Sequence, residues 1–276
     1  MHAAGSLVGW CVYLITPKYA RRMRENLAIS GIARDSAEFH RLLHTCIRES
    51  GKALTELPAV WFRSDDAAAQ LIAECRGWEE IERLRRQGQS IIFLSPHMGC
   101  FEIAARYVAL QLPLTVMYRP QRAAWLNELL VSGRSNKQLE LAPTSFKGVR
   151  MLSRALRRGH CVGLLPDHAP SLGEGVWATF FGRPAYTVTL PRKLQRASGA
   201  AFLLTFGERL PAGKGFRLHF EPLSTEGFDE EKMNRAIENL VRRYPDQYHW
   251  HYHRYKRLES RQRRDRLRRR RQLIDS

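Results

Sequence analysis

No run of eighteen apolar residues occurs anywhere in the 276-residue chain, so a full transmembrane helix is not expected. Cysteine is scarce and unpaired in pattern. The five residues Cys11, Cys46, Cys75, Cys100 and Cys161 are scattered, odd in number and free of any CxxC spacing, which favours a reducing compartment over a disulfide framework. HExxH is absent, and His97, Glu102 and Asp167 lack the spacing of zinc ligands, so no metal site is expected. Acidic residues are few as well: 27 Asp and Glu stand against 45 Lys and Arg, a formal net charge of +18.

That excess is unevenly distributed. Residues 254–271 hold eleven Lys or Arg and two acids, a net of +9, and end in Arg268-Arg269-Arg270-Arg271. Such a segment does not fold alone into a packed unit and suits an anionic surface, whether phospholipid, phosphorylated glycolipid or nucleic acid; a solvated tail is the plainer reading. At the other end, the apolar run from Leu7 to Ile15 is too short to span a bilayer and is followed by Lys18, Arg21, Arg22 and Arg24. Cationic flanks of this kind fit an interfacial helix, and a core helix fits equally well. The chain divides into an interfacial N-terminal helix (1–30), one main domain (31–257) and a basic tail (258–276) read as disordered. A chain of this length buries a full core.

Residues 20–90 read as helices, with apolar positions at helical spacing and with Gly77 and Gly88 as punctuation. Short apolar runs at 90–95, 114–118 and 161–165 read as buried strands, Glu140-Leu141 as a shorter one, and 201–206 and 216–222 as two more. Lys147–Arg158 is a basic amphipathic helix, and 230–243 is the last regular one. Alternating strands and helices predict an α/β fold: a mixed, largely parallel sheet flanked by helices, preceded by an N-terminal helical region.

The chemistry gathers at strand ends. His97 follows the 90–95 strand after Pro96, and Glu102 falls in the first turn of the next helix, placed to fold back onto the imidazole. A carboxylate on one ring nitrogen fixes the tautomer, and the other nitrogen then takes a proton from a hydroxyl. A helix-capping His with a dipole-favoured Glu fits the same spacing. Arg119 follows the second strand, where a guanidinium binds a phosphate or steadies a carbonyl oxygen, and Asp167 ends a third strand. In a parallel sheet the three converge. Phe180, Phe181 and Gly182, with Thr187 beyond, pair aromatics with a turn and fit either an acyl-chain groove or a buried anchor. His249, His251 and His253 alternate with Trp250 and Tyr252, which on a strand aligns three imidazoles; an aromatic, basic interfacial segment is the better fit. Cys100 fits a small buried hydrophobe better than a nucleophile.

In this order, His97xxxxGlu102, Tyr118-Arg119-Pro120, Pro143 to Gly148, Gly163 to Asp167, Phe180-Phe181-Gly182, Ala185-Tyr186-Thr187 and Pro245 to Trp250 resemble the lipid A biosynthesis lauroyl/myristoyl acyltransferases of the lysophospholipid-acyltransferase-like superfamily. Arg24-Glu25-Asn26-Leu27 looks like that family's N-terminal segment, so the resemblance covers about residues 5–257. It implies an acyltransferase-like fold, His97 as base with Glu102 as partner, Arg119 on a substrate phosphate or acyl carbonyl, and Asp167 in an acceptor or donor pocket. It also implies transfer of a fatty acyl group from acyl carrier protein to a hydroxyl of a lipid A precursor, at the cytoplasmic face of the inner membrane, without metal or nucleotide. Two departures are visible: His168 stands where the family commonly has Gln, and the hydrophobic lead is short.

The expected function is therefore a membrane-associated O-acyltransferase acting on a glycolipid, with substrate contacts at Arg119, Asp167, Phe180, Phe181, Gly182 and Thr187. Acidic carrier protein is expected to meet Arg150, Arg154, Arg157 and Arg158, and the tail to meet anionic lipid. Another membrane lipid, such as a lysophospholipid or aminolipid, is an alternative acceptor. A nucleic-acid-binding protein is the remote alternative, disfavoured because the strand ends carry His, Arg and Asp in place of interleaved aromatic and basic residues.

Overall fold

The structure, a computed structural model, describes residues 2–121, 123–134 and 137–255. The tail assigned to 258–276 lies outside them. In chain order the elements are α1 (His2–Ile15), α2 (Pro17–Ser30), α3 (Ser36–Trp61), α4 (Asp65–Ala69), β1 (Ile72–Arg76), α5 (Trp78–Arg86), β2 (Ile91–Leu94), α6 (Phe101–Gln111), β3 (Leu114–Tyr118), α7 (Ala124–Gly133), β4 (Leu139–Pro143), α8 (Phe146–Arg157), β5 (Cys161–Leu164), β6 (Gly175–Phe180), β7 (Arg183–Val188), α9 (Leu190–Ser198), β8 (Ala201–Arg209), β9 (Phe216–Leu223) and α10 (Glu230–Arg243).

Seven strands form one sheet in the order β1-β9-β8-β2-β5-β3-β4. Every pairing in it is parallel except β8 with β9. The expected mixed, largely parallel α/β sheet is the fold observed. β2 lies at its centre and is buried on both faces: Ile92 and Leu94 belong to one hydrophobic cluster, Ile91 and Phe93 to the other. An apolar run without alternation is what such a strand requires. Each fully buried Ile or Leu contributes roughly 1.5–3 kcal/mol of transfer free energy.

Helix starts follow local chemistry. Asp35 caps α3 by accepting from the Glu38 amide at 2.7 Å, while Glu38 accepts from the Arg34 amide at 2.8 Å. Reciprocal bonding of this kind satisfies amides that the first helical turn leaves open. Asp229 caps α10 by accepting from the Lys232 amide at 2.8 Å.

The N-terminal helices pack onto the main unit. α1 lies against α3 at a glycine crossing: a Cβ on Gly9 would stand 2.1 Å from the Ile47 carbonyl oxygen, so only glycine allows the approach. Leu7, Leu14 and Ile15 remain exposed on α1. Among the described residues no helix is long and apolar enough to cross a membrane. Deeper in the molecule, Arg209 on β8 is clasped by Glu49 and Glu56 of α3 and donates to the Gly99 carbonyl. Burial alone would lower the Arg209 pKa, but the two carboxylates raise it.

Three elements differ from the sequence expectation. Residues 72–76 form the edge strand β1, not helix, because the half-exposed segment gains parallel pairing with β9. β6 and β7 form a separate antiparallel hairpin whose two-residue turn, Phe181 (φ 47°) and Gly182 (φ 69°), has both central residues left-handed. The 249–253 stretch is a series of tight turns, not a strand, so its three histidines do not line one strand face.

Candidate functional site

β2 and β5 are parallel neighbours in matched register, with Leu94 opposite Leu164. His97 lies three residues beyond Leu94, and Asp167 three residues beyond Leu164. Equal offsets bring the two side chains together. The His97 Nδ1 lies 2.7 Å from Asp167 Oδ1, and the His97 backbone amide donates to Oδ2 at 2.9 Å. His97 is 7% exposed and Asp167 fully buried. Burial pushes the Asp167 carboxyl up, but the charge and the two hydrogen bonds of His97 outweigh it and hold the group at about 2. An ionised carboxylate on Nδ1 fixes the proton there and leaves Nε2 to exchange one with a substrate.

The carboxylate partner of His97 is thus Asp167, which corrects the expectation for Glu102. Glu102 turns the other way. It accepts from Arg134 Nε at 2.9 Å and from the Trp61 indole at 3.1 Å, with a second, closer contact from Arg134 Nη2. The first turn of α6 points its side chain to the ends of α3 and α7 and away from the imidazole.

The loop carrying His97 is held from both sides. The Gly99 amide donates to the Gln247 carbonyl at 2.9 Å, the Cys100 amide to Gly207 at 2.8 Å, and the His249 amide to the His97 carbonyl at 2.9 Å. Gly99 has φ 54°, and a Cβ there would stand 2.1 Å from the Gly207 oxygen, so the loop passes β8 only as glycine. Cys100 is buried, and burial raises its thiol pKa, in keeping with a small apolar role. Two rings enclose the imidazole: Tyr252 stacks on it at 3.9 Å with 29° between planes, and Phe101 meets it edge-on at 5.4 Å.

Beside this pair opens a cleft of about 820 Å³, counting the open solvent at its mouth. Ser95, Phe101, Glu102 and Leu165 line it at the strand ends, and Val108, Leu114 and Leu139 line it toward the strand starts. Its walls are almost wholly apolar, and the Glu102–Arg134 pair is its main charged feature. A long apolar chain matches such a lining.

Arg119 follows β3 and is exposed, and its positive charge acts on the Tyr252 phenol, which burial and Asp167 push up to about 12. It therefore faces the same sheet edge as His97. Of the expected Phe180–Gly182 contacts, Phe180 and Phe181 are buried in the core, Gly182 is the turn residue of the hairpin, and none of them lines the cleft beside His97. Thr187 is fully buried, and its hydroxyl accepts from Arg254 at 2.7 Å and from Asn234 at 3.1 Å. Sequence reasoning missed Tyr252, Trp61 and Arg134 as neighbours of the site, and the pairing of His97 with Asp167. One signal for that pairing was present: Leu94-Ser95-Pro96-His97 and Leu164-Leu165-Pro166-Asp167 share one offset from a strand end.

A largely parallel α/β sheet here carries a buried imidazole–carboxylate pair at adjacent strand ends, next to an apolar cleft, an arrangement in which an imidazole can take up a proton while the carboxylate orients it. The sequence profile of the bacterial lipid A biosynthesis acyltransferases matches residues 1–257, and the chain belongs to that family. It is 28% identical over 242 residues to the lipid A biosynthesis palmitoleoyltransferase of Escherichia coli (strain K12), covering 84% of this chain and 77% of that protein. To the lauroyltransferase of the same organism it is 27% identical over 246 residues, 86% of this chain and 79% of the relative. A lipid A biosynthesis acyltransferase of Haemophilus influenzae (strain ATCC 51907 / DSM 11121 / KW20 / Rd) is 26% identical over 247 residues, 84% and 76% of the two chains. The protein is accordingly an O-acyltransferase of lipid A biosynthesis.

Proposed function

We propose that the protein transfers a fatty acyl group from acyl carrier protein to a hydroxyl of a lipid A precursor, with His97 as general base and Asp167 as its orienting carboxylate. The observation that carries this reading is the 2.7 Å contact between His97 Nδ1 and Asp167, made beside an apolar cleft. His97 Nε2 takes the hydroxyl proton as the oxygen attacks the thioester carbonyl carbon. Asp167 stabilises the imidazolium. The tetrahedral intermediate then collapses, the C–S bond breaks, and the leaving thiolate recovers the proton from His97. Arg119, on the same edge, supplies positive charge for an acceptor phosphate or the developing oxyanion. The apolar cleft takes the donor's acyl chain, and Glu102 with Arg134 shapes its mouth.

The acceptor is a membrane lipid, so the reading places the protein on the cytoplasmic face of the inner membrane. The exposed Leu7, Leu14 and Ile15 on α1, together with the overall positive charge, support attachment to an anionic surface. Arg150, Arg154, Arg157 and Arg158, exposed on and just after α8, suit an acidic carrier protein. Mass spectrometry of lipids from a deletion strain is the test. A lipid A lighter by one acyl group, restored by the wild-type gene and not by His97→Ala, is the expected result; full restoration by His97→Ala removes the base assignment.

A further inference from the structure

The segment that lies on His97 is held by the second helix of the chain. Tyr19, Arg22 and Asn26 are spaced three and four residues apart, which puts them on one face of α2. All three grip residues 250–252. The Asn26 Nδ2 donates to the Trp250 carbonyl at 2.6 Å and to the Tyr252 carbonyl at 2.8 Å. Arg22 donates to the His251 carbonyl at 3.2 Å, and Tyr19 stacks on the His251 ring at 4.6 Å. The segment turns tightly, so its amides and that of Arg254 bond to the Tyr248, His249 and Tyr252 carbonyls; the Trp250 and His251 carbonyls are left for α2, and the Tyr252 carbonyl is shared between Asn26 and the Arg254 amide. On its other side the segment is joined to the site by the His249 amide on the His97 carbonyl and by the Tyr252 ring on the imidazole.

We infer that Asn26 is a positioning residue, which holds the 250–252 turn so that the face of Tyr252 lies against the His97 ring. The inference rests on the proposed role of His97. One nitrogen with two protons, between two carbonyls two residues apart, is a demand a carboxamide meets and an acceptor-only side chain does not. The consequence is chemical as well as structural. An aromatic face over an imidazole attracts the ring once it is protonated, a contribution of about 3- to 30-fold in a desolvated setting. It also restricts the ring to the plane that Asp167 requires. The N-terminal helical region is thereby part of the site's architecture, although it lies over two hundred residues from Tyr252 in sequence.

The test uses the full chain with Asn26→Asp, Tyr252→Leu and Tyr252→Phe. Asn26→Asp keeps the size of the side chain but sets carboxylate against carbonyl; Tyr252→Phe keeps the stacked ring. Turnover is followed with an acyl-carrier-protein thioester and a lipid A precursor in detergent. In parallel, the rate at which diethyl pyrocarbonate modifies His97 is read by peptide mass spectrometry, independently of activity. Asn26→Asp and Tyr252→Leu are expected to lower kcat about 3- to 30-fold, to leave both KM values within about twofold, and to speed modification of His97. Tyr252→Phe is expected to behave as wild type in both. Normal kcat in Asn26→Asp despite faster modification would overturn the inference, as would unchanged modification. Should Asn26→Asp not fold, Tyr252→Leu against Tyr252→Phe decides by the same two readouts. Retained turnover in His97→Ala would instead defeat the base assignment, and it is distinguished because the modification rates in the Asn26 and Tyr252 variants do not depend on it.

Discussion

Glu102 and Arg134 form a buried ion pair at the cleft, tying the first turn of α6 to the end of α7, and Trp61 from α3 completes the contact. Their side chains are 8% and 16% exposed, so water does little to replace a lost partner. Glu102→Ala leaves a guanidinium unpaired and is expected to cost about 3–5 kcal/mol. The double variant Glu102→Gln with Arg134→Met should recover most of that loss. Urea melts of the single and double variants measure it. A Glu102→Ala protein as stable as wild type would show that the pair carries no structural weight.

The sequence made the central strands legible because burial leaves little alternation to misread: β2 is an apolar run buried throughout, β5 is nearly so, and β3 is broken only by Thr115. His97, Arg119 and Asp167 followed from their positions at the ends of those runs. Partner choice did not follow. Glu102 is nearer His97 in sequence, but the matched register of β2 and β5 brings a residue seventy positions away to the imidazole. Sequence spacing reports neighbours along one element, whereas sheet register decides neighbours across two. β1 was hidden for a related reason, since a half-exposed edge strand draws its stability from pairing with a strand far along the chain. The placement of Phe180 and Phe181 was left open by the sequence, because an aromatic pair beside a turn looks the same whether it lines a groove or fills a core.

Asp167→Asn separates charge from shape. The amide side chain can still accept one hydrogen bond, but it offers no negative charge to an imidazolium and no reliable hold on the tautomer. Turnover is expected to fall by about 10²–10⁴. The KM for the thioester donor should change little, because Asp167 is fully buried behind His97 and does not line the cleft. Steady-state kinetics alongside a thermal melt checks both statements. A variant within threefold of wild-type kcat would leave His97 without need of an orienter.

Stability should decline in two acid steps. His251 is shifted from 6.5 to about 4, first by burial and then by the charges of His97 and Arg22. Its unfolded form therefore binds a proton before the folded one does. The stability that depends on its neutrality is complete above about pH 6.5 and is lost as pH falls toward 4, roughly 3 kcal/mol over the window. Asp167 acts lower down. Its carboxylate is depressed from 3.8 to about 2, so its contribution persists above pH 3.8 and disappears as pH approaches 2. Denaturant melts between pH 7 and 4 should show the first slope in wild type and a shallower one in His251→Gln. Equal slopes would mean that His251 titrates alike in both states.

The cleft sets a length limit on what it holds. From Met117 to Leu114 along β3 it runs about 10 Å toward the strand starts, where Leu114 and Leu139 are paired neighbours on β3 and β4. Leu139 is only partly buried, so a larger side chain there can be accommodated with little repacking, whereas the fully buried Val108 and Leu114 would force strain. Leu139→Phe is therefore expected to fold normally and to shorten the usable depth. Each methylene that no longer fits costs about 1–3 kcal/mol in transition-state binding, so kcat/KM should drop tenfold or more for the longest donors and remain near wild type for shorter ones. A series of acyl-carrier-protein thioesters graded by two carbons gives the profile directly. A uniform loss across all lengths would mean that the acyl chain lies elsewhere. A downward move of the optimum would place the chain end against β3 and β4, with the thioester at the strand ends beside His97.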